Sequence, residues 1–451
     1  MKFIHTADWH LGNSIHSVDR VEEQKNFLRW LAEIIDERNI DALVVSGDIF
    51  DTFSPSNVAQ SMYFSFLASL RDTSCKNVVI VGGNHDSGNM LEASKDLLNA
   101  SNIRVVGRIE NKELEDLIFD FKDREGNSEL ICAAVPYVPE IELRKYVDTK
   151  ADGEFSDMAY AKLYSKILDK AEDVKGKRNI PMIATGHLYA AGLEGRYEGV
   201  EKEVKTDDGV AVLDVVGNLG KVHVGCFPDA FDYVALGHIH YKTRVGGVDK
   251  VMYSGSPFVM GFDDADIPHY VVEVEVGVTG KNQAEGDHLI KTNFIEVPKW
   301  IRFKRVSGTK EEIVDKLTDI IDTETDSDEK KPLNLEIYFN PEDGAFLQKT
   351  VDEMIFPEHV RIVSWNLRKK KGVSGGNGLL DYDINSINNI EPEDVVRQLV
   401  LAKKYPLTEE MMADMSEEDI KKAEDDQVNK YLPYFLKAFD EVAKGDSDEN
   451  N

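Results

Sequence analysis

The chain is 451 residues long and 42% hydrophobic, too long for one compact core and apolar enough for two or three domains. Its 83 acidic against 53 basic residues leave a net charge of −30, which excludes nucleic-acid binding by overall charge and confines any such contact to local patches. The three cysteines, Cys75, Cys132 and Cys226, lack paired spacing and sit in or near apolar runs, so buried thiols of a reducing compartment are expected rather than a disulfide framework.

Phe3 to Thr6 is the first predicted strand. No apolar stretch of signal-peptide or membrane-span length precedes it, which predicts a cytoplasmic protein without a membrane partner. Val18 to Arg38 carries Val21, Phe27, Leu28, Leu31, Ile34 and Ile35 at helical spacing and reads as the crossover helix of a βαβ unit. The strand Ala42 to Val45 completes that unit. Val58 to Leu70 is a second helix, with Val58, Met62, Tyr63, Phe66, Leu67 and Leu70 on a broad apolar face. Phe64 falls outside that face and, with a following helix around Leu91, Leu97 and Leu98, is a candidate dimer contact. Further apolar runs, Val78 to Val81, Pro181 to Ala184 and the segment before Gly237, read as strands.

Five short motifs follow these runs: Asp8-Trp9-His10, Gly47-Asp48-Ile49-Phe50-Asp51, Gly83-Asn84-His85-Asp86, Gly186-His187 and Gly237-His238-Ile239-His240. Each should lie just beyond the carboxyl end of a strand, so that five strand ends converge on one crevice. Four imidazoles, two or three carboxylates and one amide, with no cysteine among them, suit Mn²⁺, Fe²⁺ or Zn²⁺ rather than a thiolate zinc site. Asp48 has two carboxylate oxygens and is able to bridge two cations about 3.5–4 Å apart, the spacing of a two-metal phosphoesterase. Singly, each motif has a plainer reading. Asp-x-His and Gly-Asp-x-x-Asp are common turns and caps, Gly-Asn-His-Asp is tolerated in any loop with unusual backbone angles, and a lone Gly-His is usually an ordinary loop histidine. Their joint occurrence in this order makes coincidence the minor reading. Trp9 reads as packing, His5 and His16 as structural, and Tyr189 as a half-buried ring that could stack on a base.

After the strand Tyr270 to Val276, Gly277, Gly280, Asn282 and Gly286 mark a turn-rich connection. An alternating module follows: strand Trp300 to Val306, helix Lys310 to Ile321, strand Leu333 to Phe339, helix Ala345 to Ile355 and strand Val360 to Trp365. Arg368 to Lys371 is a basic cluster that is as well read as a solvated linker as a DNA patch. Gly372 to Gly378 is a tether, and Pro392 to Lys404 and Pro433 to Lys444 read as short amphipathic helices for partner docking. The alternative is that these helices fold back on the preceding module. No Gly-x-x-x-x-Gly-Lys-Ser/Thr is present, so ATP dependence would come from a partner.

At these motifs, together with Ser54-Pro55-Ser56 and Tyr253-Ser254-Gly255-Ser256-Pro257, the first 275 or so residues resemble the calcineurin-like metallophosphoesterase superfamily. Within it the chain is similar to the nuclease subunits of bacterial double-strand-break processing complexes. The resemblance implies an α/β fold: a metallophosphoesterase β-sandwich flanked by helices (1–277), a small α/β capping domain (290–371) and a linker with a helical tail (372–451). It implies two divalent ions, with Mn²⁺ expected, one held by Asp8, His10, Asp48 and His240 and the other by Asp48, Asn84, His187 and His238. His85 would then be the catalytic residue free of metal, oriented by the Asp51 carboxylate on its far ring nitrogen. The implied activity is hydrolysis of phosphodiester bonds at DNA ends and hairpins. The implied partners are DNA, a coiled-coil ATPase, and a second copy within a heterotetramer. A free-standing phosphoesterase acting on nucleotides or small phosphoesters would explain the acidity better. A DNA-end tether, the third reading, has no physical need for His85.

Overall fold

In a computed structural model, residues 1–147, 155–190, 222–278, 288–327, 330–340 and 343–367 are described. The basic cluster, the tether and both tail helices lie outside these residues. The strands are β1 (Lys2–Thr6), β2 (Ala42–Ser46), β3 (Asn77–Val81), β4 (Ile103–Val106), β5 (Ile118–Lys122), β6 (Ser128–Ala133), β7 (Met182–His187), β8 (Tyr233–Gly237), β9 (Thr243–Val245), β10 (Val248–Tyr253), β11 (Tyr270–Val278), β12 (His288–Glu296), β13 (Arg302–Ser307), β14 (Leu333–Phe339) and β15 (Val360–Leu367). The α-helices are α1 (Val21–Glu37), α2 (Asn57–Ser69), α3 (Gly88–Glu92), α4 (Lys95–Asn99), α5 (Glu140–Leu143), α6 (Phe155–Lys175), α7 (Lys310–Asp326) and α8 (Gly344–Asp352).

Two six-stranded sheets, ordered β12-β11-β1-β2-β3-β4 and β5-β6-β7-β8-β10-β9, pack face to face. Side-chain alternation in the first sheet decides the layers. Phe3, Ala42, Val44, Val79 and Val81 enter the sandwich core against Ile131, Ile183, Tyr233 and Ala235. Ile4, Leu43, Val45, Val78 and Ile80 point to the opposite face, where Phe27, Leu31 and Ile35 of α1 and Met62, Tyr63 and Phe66 of α2 cover them. On the second sheet, Tyr160, Leu163, Tyr164 and Ile167 of α6 do the same. The Ser56 hydroxyl caps α2 by accepting from the Ala59 amide, so the helix starts on schedule after the metal-motif loop.

The strands β1, β2 and β3 run parallel, as do β7, β8 and β10, so their carboxyl ends open at one rim of the sandwich. β12 is an element with no counterpart in the sequence reading. It pairs with β11 through nine residue pairs from Tyr270↔Glu296 to Val278↔His288, so the first sheet extends past the boundary expected at residue 277. Its alternating, half-exposed side chains give it the weak pattern of an edge strand, which explains why periodicity did not reveal it. Two further expectations differ. Val58, expected on the buried face of α2, is 49% exposed, and the helix expected around Leu91 to Leu98 is broken into α3 and α4. Phe64 is half-buried against Tyr63, and Leu97 is exposed.

The smaller module is a three-stranded parallel sheet, β13-β14-β15, with a core of Val306, Leu335 and Ile337 under Ile313 and Leu317 of α7 and Leu347 of α8. A Thr309–Glu312 capping box starts α7. The module sits on the loops after β1 and β10 through a separate apolar cluster that joins Ile15, Val18, Val259 and Phe262 to Phe303. All three cysteines are buried and free, and no described helix is long and apolar enough to cross a membrane.

Candidate metal centre

The loops after β1 and β2 are zipped together by backbone bonds: the Asp8 amide donates to the Gly47 carbonyl (2.9 Å), His10 to Asp48 (3.0 Å) and Leu11 to Ile49 (2.9 Å). To turn their side chains into the crevice, Asp8, His10 and Asp48 take φ of 55°, 42° and 51°, and His238 takes 103°. L-residues bear a cost of about 1–2 kcal/mol each in this region, so the surrounding packing must enforce it. Two glycines make room. A Cβ on Gly47 would lie 2.2 Å from His187 Nδ1, and one on Gly83 would lie 2.1 Å from Asp48 Oδ1.

Six of the seven expected ligands form two groups whose donor atoms lie within 4.8 Å of one another: Asp8, His10 and His240, and Asp48, His187 and His238. The seventh, Asn84, places Oδ1 2.9 Å from His187 Nε2 and 3.1 Å from His238 Nδ1. Asp48 Oδ2 lies 3.3 Å from His187 Nε2 and 3.6 Å from His10 Nε2, between the two groups. His10 Nε2 and His240 Nε2 face each other at 3.2 Å. His187 Nδ1 donates to the Ser46 carbonyl at 2.9 Å, which turns Nε2 toward the site as the nitrogen that would ligate once its proton is displaced. The Asp8 carboxylate accepts from the His238 amide through Oδ1 at 2.8 Å, while Oδ2 is buried without a hydrogen-bond partner. An orphaned carboxylate oxygen among converging imidazole nitrogens is a donor set that fits divalent cations.

The electrostatics carry the same signature. Burial works against charge on His187, but the Asp48 carboxylate overrides it and raises the imidazole pKa to about 9. Burial likewise opposes the Asp48 charge, yet His187 and then His10 hold it well below the usual carboxylate range. Burial drives His238 down to about 3 and His240 well below its ordinary value, which leaves them neutral nitrogen donors. Protons on His187 thus stand where cations would compensate Asp48, and metal uptake would displace them.

His85 is in neither group. Its ring lies 5.0 Å from that of His10, and its amide donates to Asp48 Oδ1 at 2.9 Å. The partner of its Nδ1 corrects the expectation for Asp51: it is the Asp51 backbone carbonyl, at 2.9 Å, not the carboxylate. That carbonyl only accepts, so Nδ1 carries the proton and Nε2 is the free nitrogen. The Asp51 carboxylate turns instead to His10 Nδ1 (3.3 Å) and Asn13 Nδ2 (3.0 Å). A residue with no expected role, Asp86, is the brace of the site: its buried carboxylate accepts from the amides of Gly83 (2.8 Å), Phe50 (2.9 Å) and Ile49 (3.0 Å). Its position directly after His85 was the available signal. Trp9 is fully buried between Phe27 and Phe66, as packing requires, and His5 bonds the Tyr233 hydroxyl. Tyr189 is buried too deeply to stack on a base. His16 is exposed, with its ring 5.6 Å from that of Phe262 and its Nε2 4.0 Å from Glu336 of the smaller module.

The profile of the calcineurin-like phosphoesterase family matches residues 1–242, more than half of the chain. The chain belongs to that family. Among curated proteins, this phosphoesterase is 32% identical over 278 residues to the SbcD component of the nuclease SbcCD of Escherichia coli K12, covering 60% of this chain and 64% of that protein. It is 30% identical over 285 residues to the SbcD component of Rhodobacter capsulatus (61% and 66%) and 28% identical over 278 residues to that of Bacillus subtilis (61% and 66%). The match therefore spans just under two thirds of each relative's length.

Proposed function

We propose that this phosphoesterase is the nuclease subunit of a DNA-end-processing complex, a two-metal, Mn²⁺-dependent DNA exonuclease and endonuclease that acts on ends and hairpins with a coiled-coil ATPase in DNA repair. The observation that carries the reading is the Asp48 carboxylate between two ligand groups, with the metal-free His85 beside it. Asp8, His10, Asp48 and His240 would hold one ion, and Asp48, Asn84, His187 and His238 the other. When bound, the pair would polarise a phosphate and bring a water toward hydroxide at neutral pH. His85, whose Nδ1–H is held by the Asp51 carbonyl, would stabilise the developing charge or protonate the leaving 3′ oxygen from Nε2 when that nitrogen also carries a proton, taken up from solvent. The buried Asp86 brace and the zipped loops keep these groups in register without reorganisation.

The smaller module, seated on the loops that carry His10 and Val259, suits a cap that shapes access of DNA to the crevice. Exposed Leu97 and half-buried Phe64 suit the expected homodimer within a heterotetramer, and the chain is read as cytoplasmic. The net charge of −30 favours a second reading, a free-standing phosphoesterase on small phosphoesters. Digestion of end-labelled hairpin and linear DNA with Mn²⁺, with and without a coiled-coil ATPase partner, separates them. Turnover of nucleotides or bis(p-nitrophenyl) phosphate with intact DNA in every arm would overturn the nuclease reading.

A further inference from the structure

The loop between β1 and α1 buries a cation that the chemistry above does not use. Arg20 is 1% exposed, and burying a guanidinium is costly unless its donors are met. Nε donates to Glu23 Oε2 at 2.7 Å and Nη1 is shared between the Val259 carbonyl at 2.8 Å and Asn13 Oδ1 at 3.2 Å, while Nη2 is buried without a hydrogen-bond partner. The guanidinium lies 5.3 Å from the centre of the Phe258 ring and 5.5 Å from that of Phe303 in the cap-like module. Next along the path, Asn13 Nδ2 donates to Asp51 Oδ1 at 3.0 Å. Asp51 then meets the site twice, through its carboxylate at His10 Nδ1 (3.3 Å) and through its carbonyl at His85 Nδ1 (2.9 Å).

An asparagine amide has two faces, and only its NH₂ is compatible with a carboxylate. A donor on Oδ1 settles which face Asp51 sees, because Arg20 is unable to accept a hydrogen bond. We infer that Arg20 and Asn13 are positioning residues for the metal centre: Arg20, held under Phe303, orients the Asn13 amide, and Asn13 holds Asp51 in register with His10 and His85. The inference rests on the proposed phosphodiester hydrolysis for its kinetic arm only. The side chains next to a metal ligand typically change metal affinity or activity about 10–100-fold when removed.

The test uses the full chain, with Mn²⁺ titrations of bound ion and, at saturating Mn²⁺, hydrolysis of bis(p-nitrophenyl) phosphate. Asn13→Ala should weaken the more loosely held ion by about 10–100-fold, and lower kcat by a similar factor with KM unchanged. Asn13→Asp, which still accepts from Arg20 but has no NH₂ for Asp51, should lose as much as Asn13→Ala. Arg20→Lys should lower kcat in the wild-type background and change it less than twofold in the Asn13→Ala background, because Arg20 acts through Asn13. Losses that multiply in the double variant would make Arg20 merely structural and overturn the relay. Wild-type ion affinity and kcat in Asn13→Asp would overturn it even if Arg20→Lys failed to fold. A wild-type chain that binds Mn²⁺ but hydrolyses nothing would sink the phosphoesterase reading, and the Mn²⁺ titration of Asn13→Asp would still decide the relay.

Discussion

Replacing Gly83 by alanine adds one methyl group at a crowded point of the centre. Its Cβ would stand 2.1 Å from Asp48 Oδ1 and 2.3 Å from the Asp48 backbone nitrogen. The second contact is with main chain, so no side-chain rotation relieves it. The β2 loop or the β3 loop must move by roughly 1 Å to restore ordinary van der Waals separation. Such overpacking costs about 1–3 kcal/mol, which for a domain of this size lowers the melting temperature by about 2–4 °C per kcal/mol. The effect on chemistry is larger, because a misplacement of about 1 Å at a reacting centre costs on the order of 10²-fold in rate. Gly126→Ala is the matched control. Gly126 has φ of +90° but nothing within 4 Å of its added Cβ, so alanine there adds backbone strain of about 1–2 kcal/mol without touching the site. Thermal melts, bound-metal analysis and hydrolysis of bis(p-nitrophenyl) phosphate should show Gly83→Ala losing metal and at least 10²-fold in kcat, with Gly126→Ala fully active. A Gly83→Ala chain that keeps wild-type metal content and turnover would refute the close approach of the two loops.

Asp48→Ala should reduce tightly bound metal well below two ions per chain and abolish hydrolysis; two tightly held ions in the folded variant would exclude Asp48 as the bridge. His85→Gln should keep both ions while turnover falls by about 10²–10⁴-fold, and loss of metal would instead make His85 a ligand. Glu324, whose carboxylate accepts from Arg302 at 2.7 Å and 2.7 Å and bonds His359 at 2.9 Å, has its pKa lowered chiefly by the Arg302 hydrogen bonds. Its stabilising contribution is therefore complete above the ordinary carboxylate range and is lost as pH falls through the lowered folded value. Glu324→Gln should destabilise the smaller module by about 1.5–3 kcal/mol at neutral pH and flatten its loss of stability in acid, which urea titrations at pH 7 and in the acid range would measure. Parallel acid limbs for both proteins would argue against that role.

Much of this protein is determined by short-range sequence. Apolar, β-branched runs place β1, β2, β3, β7 and β8, and the residues after each run supply the seven expected ligands, because ligands at parallel strand ends converge whatever the loops between them do. Helical spacing locates α1, α2 and α7, and an aromatic flanked by buried positions explains why Trp9 packs rather than reaches substrate. What the tertiary structure alone decided involves backbone groups and contacts between residues far apart in the chain, which leave no mark in a residue pattern. The same Asp51 serves His85 with its carbonyl and His10 with its carboxylate, and only the loop path tells the two apart. Asp86 becomes the brace because the β2 and β3 loops bring three amides within 3.0 Å of its oxygens. The edge strand β12 forms because β11 offers it a partner, not because its own half-exposed side chains demand one. Asn13 and Arg20 look like loop residues until Asp51, Val259 and Phe303, distant in sequence, close around them.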